Sequence, residues 1–161
     1  MKNLIHGSYW WKCDFHNHTP KSTDYGRTQT ERETMTEREW LLGYMRAEID
    51  CVGITDHNTG EWVDKLQDEL IKMDQEQPQD AEYRPLYLFP GVEISVSAGI
   101  HILAIFDPSK KTQDVTSLLG AVGMPLDGYG NSKRVTNTSV GQVIEAIVSA
   151  GGVLLPKNWT V

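Results

Sequence analysis

Short apolar runs alternate with longer stretches of helical periodicity along this chain. Residues 10–16 (Trp-Trp-Lys-Cys-Asp-Phe-His) read as a first strand and lead into a polar loop that reaches about residue 35. Within that loop, 27–33 has no apolar residue and reads as a solvated excursion. Thr36-Glu37-Arg38-Glu39 has the form of a capping box, a hydroxyl residue followed three later by Glu. Beyond it Trp40, Leu41, Tyr44, Met45 and Ile49 fall on one helical face, where they are expected as core. Residues 51–55 (Cys-Val-Gly-Ile-Thr) are almost continuously apolar, as in a strand covered on both faces. Trp62, Val63, Leu66, Leu70, Ile71 and Met73 predict a second helix within 61–75, followed by a Pro-containing connector over 76–84.

The second half repeats the alternation. Residues 86–89 predict a third strand ended by Pro90-Gly91, with 94–96 extending it or opening another. A turn at Ala98-Gly99 precedes a fourth strand over 101–106. Residues 107–120 hold a short amphipathic helix at most, and 121–137, with several glycines, read as a long loop. Ser139 caps a helix with Val140, Val143, Ile144, Ile147 and Val148 on one face; Gly151-Gly152 stops it, and a last strand begins at Val153. Strand, helix, strand, helix, strands, helix, strand is the order of a parallel α/β sheet or barrel.

Composition narrows this only slightly. The 161 residues fit one domain, with 39% hydrophobic and 23% charged residues, ordinary for a globular protein. No apolar run approaches the ~20 residues that span a bilayer, and the N-terminus lacks a signal-peptide core. Cys13 and Cys51 are too few for a disulfide framework, so a cytoplasmic location is expected, with no membrane partner. A formal net charge of −7 disfavours broad duplex nucleic-acid binding by this segment. It leaves phosphorylated small molecules or nucleotides open, because bound cations invert the potential of an Asp/Glu/His-rich site.

The candidate chemistry lies at strand ends. In an extended segment His16 and His18 point to one side, their Cα atoms roughly 6–7 Å apart, within reach of one metal ion. The turn through Pro20 can return Asp24 over the same place. His57 follows the second strand and Glu93 the third; His101 opens the fourth and joins them only if 93–106 forms a hairpin. Imidazoles and carboxylates recurring at one end of successive strands suit Zn, Mn or Fe, with Glu93 placed to bridge two ions and serve the reaction directly. Asp14 and Asp56 neighbour these ligands and are expected to orient imidazoles or a bound water, Asp56 being the second candidate catalytic carboxylate. Lys21, Arg27 and Lys133 are candidate phosphate contacts, each also explicable as an ordinary surface charge.

Asp-Phe-His-Asn-His-Thr with Asp24 eight residues after His16, then Gly-Ile-Thr-Asp-His-Asn and Phe-Pro-Gly-Val-Glu-Ile, resemble the first three motifs of the polymerase and histidinol phosphatase (PHP) domain family. The resemblance covers roughly 10–156 and implies a distorted seven-stranded β/α barrel carrying two or three divalent metal ions. It implies that His16, His18 and Glu93 hold one ion, Glu93 with His101 a second, and Asp24 with His57 a third. The opening around Trp10 and Trp11 and the Asp24-Tyr25-Gly26 variant also resemble PHP domains fused to AAA-like ATPase proteins. The family's next motif ends a strand in Pro-His or Pro-Ala-His; here Pro156 is followed by Lys157-Asn158, and a later Asp-x-His is absent. The expectation is therefore a single PHP-like domain over 1–161, cut short at its C-terminus, with the barrel incomplete.

Two functions follow as expectations. One is metal-dependent hydrolysis of a phosphomonoester or phosphodiester by metal-activated water, on a phosphorylated small molecule or nucleotide. The other is a catalytically incomplete module with a structural or regulatory role beside further domains of a larger ATPase or polymerase-like protein. An amidohydrolase-type barrel also opens with His-x-His, but it needs a metal-bridging Lys that the Thr-Asp-His and Pro-Gly-Val-Glu clusters do not supply.

Overall fold

A computed structural model describes residues 10–155 of the chain. The lead-in over 1–9 and the expectations attached to Pro156, Lys157 and Asn158 lie outside the described residues. Five strands form one sheet in the order β1 (Cys13–Asp14), β2 (Cys51–Ile54), β3 (Tyr87–Val96), β4 (Ile100–Ile105) and β5 (Val153–Leu155). Pairing of β1 with β2 and of β2 with β3 is parallel; β3 with β4 and β4 with β5 are antiparallel. The sheet is therefore mixed, not parallel throughout. The reason is local: a single 3₁₀ turn, Ser97–Gly99, joins β3 to β4, and three residues cannot carry a crossover. Five described strands stand where the resemblance implied seven.

Helices cover one face. Between β1 and β2 lie α1 (Gln29–Thr34) and α2 (Glu37–Arg46); α3 (Val63–Gln75) leads to β3, and α4 (Thr112–Ala121) and α5 (Val140–Ser149) separate β4 from β5. Thr36 caps α2 through the Glu39 amide, and Ser139 with Gln142 forms a capping box on α5. α1 was not expected. The wholly polar 27–33 run carries its own capping box, Thr28 with Glu31, and forms a helix that buries none of its residues. The segment is solvated as expected, but it is helical where a loop was expected.

Two apolar clusters sit between helices and sheet. Trp40, Leu41, Met45, Val63, Leu66 and Met73 pack on Val52, Ile54 and Leu88, whereas Val115, Leu118, Leu119, Val143 and Ile147 pack on Val92, Ile94, Val96, Ile102 and Ala104. β3 belongs to both. It does not end at Pro90-Gly91 as the turn signal predicted, because Pro90 is the last residue of the β2 ladder and Gly91 the first of the β4 ladder. A side chain at 91 has no room: a Cβ there would lie 2.6 Å from the Ala104 carbonyl oxygen and 2.9 Å from the Thr55 methyl.

The segment 121–137 is fastened rather than free. Thr136 bridges to Val96, its amide donating to the Ser95 carbonyl at 3.0 Å, and the Asn58 side-chain amide donates to the carbonyls of Asn131 (2.9 Å) and Arg134 (3.0 Å). The first strand is shorter than the 10–16 expected, two residues in all. Among the described residues no helix is long and apolar enough to cross a membrane.

Candidate metal centre

Backbone pairing assembles the site. β1 delivers His16 and His18 at its carboxyl end, where the amide of Asn17 donates to the Thr55 hydroxyl and the Thr55 amide to the Asn17 carbonyl, both at 2.9 Å. β2 and β3 continue as a bridge between His57 and Glu93, which sets these two side by side. The β3–β4 hairpin pairs Ser95 with His101, so His101 returns to the level of Glu93 although it stands near the start of its strand. Glu93 lies inside β3 rather than after it, because β3 runs on to Val96.

Glu93 is the centre. Its side chain is 2% exposed, and its Oε2 lies 2.8 Å from His16 Nε2, 3.5 Å from His18 Nε2 and 3.6 Å from His57 Nε2, while Oε1 lies 3.3 Å from His101 Nδ1. His57 Nε2 also lies 3.0 Å from Asp24 Oδ2. Three overlapping donor groups result: His16, His18 and Glu93; His18, Asp24 and His57; His57, Glu93 and His101, with ligand atoms inside each group within 4.8 Å of one another. All six sequence-predicted ligand positions are thus brought together. Exposure is graded, from His16 and Asp24 (34% and 45% of the side chain) inward to Glu93, so the cluster opens to solvent on the His16–Asp24 side.

The donors fit divalent cations. Burial lowers the pKa of His18 and of His57 against the opposing pull of Asp24 and Glu93, which keeps lone pairs available near neutral pH. His57 Nδ1 is buried without a hydrogen-bond partner among the described residues. A fully buried carboxylate ringed by imidazoles is a costly arrangement unless cations or protons compensate it.

Asp56 does not face the cluster. One oxygen accepts from the Thr19 amide (2.5 Å) and the Ser22 hydroxyl (3.0 Å), the other from the Thr19 hydroxyl (2.6 Å), so its buried carboxylate anchors the 19–22 turn. Desolvation pushes its pKa up to about 6 in spite of those donors. Asp14 accepts weakly from the His16 amide at 3.4 Å. Of the candidate phosphate contacts, Lys21 ion-pairs with Glu61 at 2.7 Å and lines a cavity of about 160 Å³ with Thr59, Thr112 and Tyr129.

Several supporting residues escaped the sequence reading. Ser22 accepts from the His57 amide at 2.8 Å and lies 3.4 Å from His18 Nδ1. Trp40 Nε1 donates to the His18 carbonyl (3.0 Å) and the Tyr44 hydroxyl to the Asn17 side chain (2.8 Å), so α2 positions the ligand loop as well as filling the core. The indole and phenol handles on an apolar face are the signal that was available, since a buried Trp or Tyr needs a partner for its polar atom.

No protein-family profile and no curated protein matches the chain. Among solved structures it is similar to the lesion-specific endonuclease PfuEndoQ from Pyrococcus furiosus, at 15% identity and a TM-score of 0.57, over 89% of this chain and 33% of that one. A protein from Bifidobacterium adolescentis, described provisionally as a metal-dependent phosphoesterase, is matched over 88% of this chain and 51% of its own length, at 19% identity and a TM-score of 0.42. The chain spans about a third of the endonuclease and half of the second protein, and the first likeness is one of fold.

Proposed function

We propose that this chain carries the metal centre of a metal-dependent phosphoesterase of the PHP type. The observation that carries the reading is Glu93, whose two oxygens serve different imidazole sets and so join overlapping donor groups through one carboxylate. The fold it shares with a protein named as an endonuclease agrees with phosphoester chemistry. His16, His18, Asp24, His57, Glu93 and His101 would hold two or three divalent ions, which would polarise a phosphoryl group and make a bound water acid enough to ionise near neutral pH. Imidazole and carboxylate donors suit Zn, Mn or Fe.

The chain's own residues do the rest. Glu93 fixes the spacing of the donor groups from inside the sheet, where it cannot swing out. Asp56 acts at one remove, holding Thr19 and Ser22 and through them the backbone between His18 and Asp24. Substrate enters on the exposed His16–Asp24 side, with Lys21 and Tyr129 at the neighbouring cavity available to its non-reacting part. The acidic balance favours a phosphorylated small molecule or nucleotide over a gripped duplex.

The test uses the full chain, stripped with a chelator and reloaded with Mn, Zn or Fe. Metal analysis is expected to find two or three ions per chain, and p-nitrophenyl phosphate or bis-p-nitrophenyl phosphate to be hydrolysed only by the loaded protein. Replacing His16 and His18 with Ala removes both. Metal binding without turnover of either ester, or no metal binding at all, overturns the hydrolase reading and supports the catalytically incomplete module instead.

A further inference from the structure

The two cysteines fall on paired strands, and their placement carries an inference independent of the metal centre. Cys13 and Cys51 are direct register partners in the parallel β1–β2 ladder. Register partners on neighbouring strands point to the same face about 4.8 Å apart, at the short end of the 4.4–6.8 Å Cα separation that a disulfide accepts. The Cys13 thiol is close enough to add to the rise that burial imposes on the Cys51 pKa. Cys13 is exposed and Cys51 buried, so the pair has one sulfur open to solvent and one behind it.

We propose that Cys13 and Cys51 form a thiol–disulfide exchange site, oxidised to one reversible intramolecular disulfide by low-molecular-weight disulfides. The Cys13 thiolate attacks one sulfur of RS–SR, the S–S bond breaks, and RS⁻ leaves and takes up a proton as RSH. The Cys51 thiolate then attacks the Cys13 sulfur of the mixed disulfide and expels the second RS⁻, which also ends as RSH. Two protein thiols are oxidised, one small disulfide is reduced to two thiols, and excess RSH reverses both steps. The order follows from access: Cys51 is covered, and burial together with the neighbouring Cys13 pushes its pKa up to about 12, so it resolves a bond that Cys13 has opened.

The bond would fasten a weakly held element. β1 contributes only two ladder residues and is otherwise tied by contacts around Lys12 and Asp50, yet it leads into His16 and His18. Oxidation therefore clamps the edge strand to β2, the strand that leads to His57.

The native full chain is incubated with oxidised glutathione, quenched with acid, and read by intact mass and non-reducing peptide mapping. The expected product has lost two hydrogens, carries no adduct and yields a Cys13–Cys51 linked peptide; reduced glutathione restores the starting mass. Cys51→Ser is expected to stop with one glutathione on Cys13, and Cys13→Ser to stay unmodified while folded. The proposal is overturned if the native chain accumulates the Cys13 adduct without closing, if it stays reduced where Cys51→Ser is modified, or if the disulfide formed is intermolecular.

Discussion

Glu93 has four imidazoles within 3.6 Å of its carboxylate and almost no contact with solvent. Without a cation, burying such a carboxylate carries a desolvation cost that a neutral side chain of the same shape does not. Glu93→Gln should therefore leave the metal-free protein no less stable in urea titration, while abolishing the stabilisation that metal confers. Its metal content should fall by at least one ion, and hydrolysis by more than the roughly 10–100-fold typical of losing an outer-shell partner. Asp50 shows the opposite case. It accepts from the Lys12 amide at 2.9 Å and from Arg84 at 2.7 Å, and these donors lower its pKa, the Lys12 contact most. A carboxylate with a depressed folded pKa adds stability above its unfolded value near ~3.9 and loses it as pH falls through the folded value. The melting-temperature gap between the native chain and Asp50→Asn should thus be full at pH 6 and close progressively below about pH 4.

β3 shows how an element can be built against its own local signals. Pro90-Gly91 is ordinary turn punctuation, but here the pair marks a change of ladder partner inside one ten-residue strand. Gly91→Ala sets a methyl against the Ala104 carbonyl and should cost about 1–3 kcal/mol in denaturant unfolding, with amide exchange quickening first across the β3–β4 hairpin. The same element explains what was legible in the sequence. α2, α3 and α5 announced themselves through apolar periodicity, and α2 and α5 through their caps as well; β2 did so through an unbroken apolar run. α1 has no apolar face to announce it, whereas the turn at Ala98-Gly99 was legible and only the antiparallel direction it gives β4 was left open. The candidate ligands were legible because histidines and carboxylates recur beside strand ends. The hydrogen bonds that orient them, from Thr19, Ser22, Trp40 and Tyr44, depend on distances across 4 to 37 residues and were not.

At the scale of the whole molecule, β3 divides the protein into two bodies of packing. The first lies under α2 and α3, the second under α4 and α5, and besides β3 a polar seam joins them through Thr112 to Gly60 and Asp64 and through Gln67 to Pro108 and Lys110. The donors divide the same way: His16, His18, Asp24 and His57 come from the first body, His101 from the second, and Glu93 from the strand they share. A cation held by His57, Glu93 and His101 would therefore be a rivet across the division, and its binding energy would count only when both bodies are folded. Unfolding cooperativity would then depend on metal occupancy. Native-state hydrogen exchange should find two protection levels in the chelator-treated protein, one for each body, and should find them merged into one when Zn or Mn is present. If both bodies open at a single level without metal, the polar seam and β3 already couple them, and the ions add stability without adding unity.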